Sequence, residues 1–267
     1  MKNFKELKYQ LEIILGLPIL YLLLGTIINL IVVICCILLN NYNFSNYNTL
    51  RLFYENKYSN IISGIVDIIF LIILIKILFK NNFNKFKESI HINKINFNDL
   101  INSILLGIGL STLSILIVGT FSTFTNNYSS ISNRINQSSS IIGVLFAITI
   151  VPVFEEIFFR GIIFGYLRKN YNIKLSIFIQ ALVFSIMHMN LIQGIYTFIS
   201  GIILALIYIK SKTIIAPIIV HIECNLFGIL IWKTLFDWCK EASPIYLFLG
   251  ILSLIIGILR LKNSLKK

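Results

Sequence analysis

An all-α membrane bundle of about eight spanning helices, with both termini on the cytoplasmic side, is the fold class this sequence predicts, and three observations predict it. Of its 267 residues 57% are hydrophobic and 13% charged, with a mean hydropathy of +0.86, outside the usual range of water-soluble globular domains. Apolar runs of about 20 residues recur along the chain, each long enough to cross a hydrocarbon layer of roughly 30 Å as a helix. The basic residues, finally, fall in short loops and crowd onto alternate sides of those runs. Eight spans consume so much of the chain that the expected organisation is a single integral membrane domain, 1–267, with no separate soluble domain.

Taken in order, the runs lie at 17–39, 61–79, 100–121, 141–167, 175–189, 192–209, 214–232 and 245–260. The first is too long for the apolar part of a cleavable signal and no small-residue cleavage site follows it, so it is expected to remain as an anchor. Residues 121–140 read as a polar loop whose single charge is Arg134; the fourth run is long and the fifth short. One side of the runs collects 17 Lys and Arg. These are Lys2, Lys5 and Lys8, then Lys76, Lys80, Lys85, Lys87 and Lys94, then Arg168, Lys169 and Lys174, then Lys210 and Lys212, then Arg260, Lys262, Lys266 and Lys267. The other side has 5, at Arg51, Lys57, Arg134, Lys233 and Lys240, and Arg160 stays within a span. That bias places both termini in the cytoplasm and calls for an even number of spans.

The net charge of +12 would raise the question of nucleic acid in a soluble protein. Here topology and anionic lipid head groups account for it, and no nucleic-acid partner is expected. Cys35, Cys36, Cys224 and Cys239 show neither metal-ligand spacing nor a disulfide framework. The richness in Ile, Asn and Lys fits an A+T-rich genome and a bacterial plasma membrane.

Charge inside a span costs about 2.5 to 3.5 kcal/mol at the helix centre, so each such residue requires a reason. The fourth run holds three in VPVFEEIFFRG: Glu155, Glu156 and Arg160. His188 follows in the fifth run, and His221, Glu223 and Asn225 in the seventh. Counting about 1.5 Å per residue from the basic end of each run, Glu155, His188 and Asn225 lie about 20 Å deep and His221 about 14 Å. Three separate helices thus bring polar groups to overlapping depths, as one shared site requires. Pro152 and Pro217 stand where they can bend two of these helices.

Helical phase assigns the roles. Glu156 and Arg160 are four apart on one face, so they can pair and make each other tolerable in the bundle. Glu155 points about 100° away, without that partner, which suits a proton acceptor. His221 and Asn225 are also four apart and share a face, where imidazole and carboxamide donors can stabilise a developing oxyanion; Glu223 points elsewhere. A base, a second histidine to hold or shuttle a proton, and a donor pair are the equipment for attack of water on an amide carbonyl. Glu155, His188 and His221 are equally a set that can hold a zinc ion with water in the fourth position, and sequence does not separate the two arrangements.

The stretches Glu155-Glu156-x-x-x-Arg160, Phe184-x-x-x-His188 and His221-x-x-x-Asn225 resemble, in order and on separate apolar runs, the motifs of the CPBP intramembrane endopeptidases. That family is also called the Abi or CAAX-protease family and includes the type II CAAX prenyl endopeptidases. The resemblance covers roughly 141–232, the expected catalytic core. It implies that Glu155 and His188 activate the water, that His221 and Asn225 form the oxyanion hole, and that Glu156 and Arg160 support the site. It further implies an eight-helix fold and a hydrolase of glutamic or metallo type, with a mechanism requiring no cofactor favoured over a zinc one. The partners expected are a hydrophobic or lipidated peptide or protein as substrate, and membrane lipids; the sequence does not say from which side the site is reached.

Two other classes stand beside that reading: a membrane immunity or scaffold factor of the bacteriocin self-immunity type that binds without cleaving, and a small transporter, since midplane carboxylates also serve ion pathways. Among the remaining residues, Phe184 is expected to pack around the site, Cys224 to be a small buried apolar group, Lys76 to snorkel outward and His91 to be solvated in a loop. Glu223 is expected to serve as an ion-pair or hydrogen-bond partner, and Asp67 has no evident role in the sequence.

Overall fold

The computed structural model describes residues 11–40, 58–122 and 140–265, less the side chains of 36, 37, 39, 40 and 122. Lys2, Lys5, Lys8, Arg51, Lys57, Arg134, Lys266 and Lys267, the side chain of Cys36 and most of the polar loop at 121–140 therefore lie outside the described residues. Every regular element described is helical. We label them α1 (Leu17–Asn40, entered through a wide π-helical turn at Glu12–Gly16), α2 (Ser59–Phe79), α3 (Phe83–Ser89), α4 (Phe97–Ser122), α5 (Ile141–Asn170), α6 (Ile173–Met187), α7 (Leu191–Ser211), α8 (Ile215–Trp238) and α9 (Ser243–Leu265).

Seven of these segments are long and apolar enough to cross a membrane, and α6, at Ile173–Met187, is apolar but shorter. Eight apolar helices are thus present in the order the runs predict, and the chain is a multi-pass membrane protein. The bounds shift in places. The last two spans continue to Trp238 and Leu265, and the fifth stops at Met187, so that His188 lies just beyond its helix. The left-handed backbone of Met189, φ 53°, turns the chain at once, and the Asn190 side chain accepts from Gln193 N to cap α7. Asn82 and Asn172 cap α3 and α6 in the same way, and Asn96 accepts from Asp99 N at 2.9 Å at the start of α4. The short α3 falls where the sequence reads as loop.

The two larger of the buried hydrophobic clusters hold most of the bundle. An aromatic one joins α2, α5 and α6 through Phe70, Phe154, Phe158, Phe159 and Phe184, with Tyr21 of α1 packed on it. An aliphatic one joins α4, α7, α8 and α9 through Leu106, Leu110, Leu204, Ile207, Val220 and Leu254. In lipid the helices gain nothing from water exclusion, so close approach matters. A Cβ at Gly107 would overlap Glu223 and Val220 of α8, and one at Gly109 would overlap Leu254 of α9.

The helix ends rich in Lys and Arg gather at one end of the bundle. The Asn93 side chain donates to Lys212 O at 2.9 Å, Ile214 N to His91 O at 3.1 Å, the Arg168 guanidinium lies 5.4 Å from the Tyr208 ring, and Lys210 pairs with Asp99. His91, expected to be solvated, is instead half-buried here, edge-on to Tyr208 with ring centroids 6.1 Å apart; the long-range pairing of its loop with residues 208–214 draws it in.

Candidate active site

The middle of α5 is not a uniform α-helix. Wide π-helical turns at Phe146–Ile150 and Ile157–Phe164 flank the α-helical turn Val151–Glu156 that carries Pro152, Glu155 and Glu156. Proline cannot donate to the preceding turn, and a π turn accommodates that by widening the helix. The same widening presents the Ala147 carbonyl sideways, where it accepts the Asn225 Nδ2 hydrogen bond from α8 at 3.0 Å.

Glu156 and Arg160 are fully buried and paired, Nη1 to Oε1, at 2.7 Å. The guanidinium lies over the Phe184 ring, 4.3 Å from its centroid, a cation–π contact in a desolvated setting. The same ring meets His188 and His221 edge-on, with centroids 4.9 and 6.0 Å away. Phe184 is therefore the common packing surface for one arginine and two histidines.

Both histidines have their ring orientation fixed from behind. His188 Nδ1 lies 2.8 Å from the Phe184 carbonyl. A carbonyl only accepts, so Nδ1 carries the proton and Nε2 of the neutral ring is left with its lone pair. His221 Nδ1 donates to Glu156 Oε1 at 2.7 Å, while its Nε2 stands 3.6 Å from Glu155 Oε2. His221 is held between the two adjacent carboxylates, and Glu156 serves the arginine and the histidine with one oxygen. For His221 Nε2 to donate to an oxyanion, the ring must hold a proton on each nitrogen.

Glu155, 21% exposed, opens with His188, His221 and Asn225 onto one cavity of about 260 Å³ between the two cores. The depth estimate from three helices thus corresponds to a single space. Glu156 and Arg160 stay behind its wall. Glu223 turns away towards α4, with its Cβ against the Gly107 position, and Cys224 lines the cavity. The sequence reading missed the uncharged polar lining: Asn60 and Ser63 from α2, and Gln193, Tyr196, Thr197 and Ser200 from α7. The α7 set has a signal that was there to be read, spacings of three, four and seven that put polar groups on one face of an otherwise apolar helix.

Asp67, unassigned from sequence, is fully buried and accepts from the Tyr21 hydroxyl at 2.8 Å. Tyr21 in turn stacks on Phe154, next to Glu155, with ring centroids 5.3 Å apart.

As donors to a metal, Glu155, His188 and His221 are of suitable chemistry. Among the described residues, however, no three His, Cys, Asp or Glu side chains converge as a ligand set, although the Nδ1 contacts of both histidines leave each Nε2 available, as ligation would require.

Residues 137–227 match the family model described as Type II CAAX prenyl endopeptidase Rce1-like, a stretch that contains all six site residues. The chain is also similar to a Bacillus subtilis (strain 168) protein named "Putative membrane peptidase YdiL", 34% identical over 92 residues. That match covers 34% of this chain and 34% of the relative, so the two are alike over about a third of their lengths. No solved structure matches.

Proposed function

We propose, from the match of residues 137–227 to the Type II CAAX prenyl endopeptidase Rce1-like family model, that this protein is an intramembrane endopeptidase cutting a peptide bond of a hydrophobic or lipidated peptide. The observation that carries the proposal is that Glu155, His188, His221 and Asn225, from three parts of the chain, line one cavity. Residues 141–232 form its catalytic core.

The chemistry follows from the committed nitrogens. A water in the cavity donates one hydrogen bond to the Glu155 carboxylate and the other to His188 Nε2. As its oxygen attacks the carbonyl carbon, Glu155 takes a proton, and the negative charge forming on the carbonyl oxygen is met by Asn225 Nδ2–H and by His221 Nε2–H of the doubly protonated ring. Collapse breaks the C–N bond, with the proton held by Glu155 passing to the leaving amine. Glu156 and Arg160 touch no reacting atom; they are positioning residues that fix the His221 ring. No step above is routed through a metal ion. The polar face of α7, with Gln193, Thr197 and Ser200, offers hydrogen-bonding groups to an extended peptide backbone.

The test is cleavage of a quenched-fluorescent farnesylated CAAX peptide by detergent-purified protein, beside Glu155→Gln and with a chelator in parallel. General-base loss predicts a fall in kcat of about 10²- to 10⁴-fold with peptide binding retained, and turnover of the unmodified protein that survives chelation. Equal cleavage by both proteins would sink the base assignment. Loss on chelation would transfer the role to a metal, and a phenotype that persists in Glu155→Gln would favour a binding-only immunity factor.

A further inference from the structure

A second cavity, of about 320 Å³, opens at the base-rich end of the bundle, where α4 begins and where α7 and α9 end. It shares no lining residue with the site above. Its lining is Asn98, Asn102, Lys210, Arg260, Asn263 and Ser264, with no apolar side chain among them. Among the described residues, two cations share this space beside the carboxylate of Asp99, which pairs with Lys210 and accepts from Asn96 Nδ2 at 2.7 Å. Asn98 and Asp99 sit in the first turn of the 26-residue α4, whose N–H groups give this end a positive potential.

The independent observation is Asn102. It is 1% exposed, and neither Nδ2 nor Oδ1 has a hydrogen-bond partner among the described residues. A buried carboxamide left wholly unpaired is expensive, and this one faces a cavity that already holds a lysine and an arginine. The pattern is that of a site awaiting a ligand that brings both negative charge and oxygen acceptors.

We infer that this cavity binds a phosphate group, with Lys210 and Arg260 neutralising it and Asn102 Nδ2–H donating to one of its oxygens. The fork of Arg260 suits two phosphate oxygens at once, and Lys210 acts as a point charge. The same chemistry is offered by an anionic phospholipid head group and by free phosphate. A mouth at the ends of membrane-spanning helices is within reach of both.

The experiment uses the whole protein in detergent, read by native mass spectrometry, with phosphatidylglycerol, phosphatidylcholine and inorganic phosphate as probes. The expected result is retention of phosphatidylglycerol over phosphatidylcholine, weakened about fivefold by Arg260→Gln and further by adding Lys210→Gln, at about fivefold per basic residue removed. Asn102→Leu, which replaces the unpaired amide by an apolar group of similar size, is expected to weaken binding while the thermal transition holds or rises. Displacement of the lipid by millimolar inorganic phosphate would identify free phosphate as the source. Should Lys210→Gln fail to fold for want of a partner to Asp99, the exposed Arg260→Gln decides alone. Equal retention of both lipids, or unchanged binding in Arg260→Gln and Asn102→Leu, would overturn the inference.

Discussion

Arg160 is the largest fully buried side chain of the described residues, and its Nε and Nη2 have no hydrogen-bond partner among them. A guanidinium in that position is tolerated because Glu156 neutralises it and the Phe184 face receives it. Removing one member of a buried pair leaves the other uncompensated, at about 3–5 kcal/mol. Arg160→Met is accordingly expected to destabilise the protein by that order, read as a lowered thermal transition in detergent, and to lower kcat through the loosened Glu156–His221 contact. An unchanged transition would show the pair to be dispensable. Tyr21→Phe tests the neighbouring contact. It strips buried Asp67 of its hydroxyl donor and is expected to cost about 1–3 kcal/mol, with a smaller effect on turnover than Glu155→Gln. At this scale the pairs four apart on one helix, Glu156–Arg160 and His221–Asn225, were legible from phase alone. The clamp of His221 between two carboxylates was not, because its partners are 65 and 66 residues away and no local periodicity encodes that. Asp67 was illegible for the same reason, as its partner Tyr21 is 46 residues distant on α1.

Among the elements, α5 and α4 do the most to locate the site. The two π-helical turns of α5 re-aim successive turns of one helix, so that Glu155 meets the cavity while Glu156 turns to the buried arginine. Spacing predicted the angle between those two side chains, but not the widened turns that set where they point. Pro152 was the one hint, and the helix responds to it by widening around an intact rod. α4 works by being thin. Its glycines let α8 and α9 approach until any Cβ would collide, and α8 is the helix that carries His221 and Asn225. Gly109→Leu is expected to destabilise the protein by about 1–3 kcal/mol through overpacking, measured as a lowered unfolding temperature. Full tolerance would mean that the α4–α9 contact is not fixed. The shortness of α6 was visible as a short apolar run. Its end, one residue before His188, depended on the left-handed turn at Met189, which a non-glycine residue does not advertise.

For the whole molecule, eight apolar helices in sequence order were legible because hydrophobic runs of spanning length are the strongest signal a chain can carry. How the bundle divides into an aromatic and an aliphatic half, with the cavity between them, was not legible, since both halves read as uniformly apolar. The gathering of basic helix ends at one end of the bundle supports a cytoplasmic placement of that end. A single cysteine placed at Lys212 in a cysteine-free background is therefore expected to react with a membrane-impermeant thiol reagent in inverted vesicles and not in intact cells; the reverse would invert the topology. The central claim is that Glu155 and His188 act together on one water. A double-mutant cycle of Glu155→Gln and His188→Ala on single-turnover cleavage of the farnesylated peptide tests it most directly. Groups that act as a unit are not additive, so the double variant is predicted to be no slower than the slower single one. Losses that multiply would mean that the two residues serve separate steps, and would contradict the shared water.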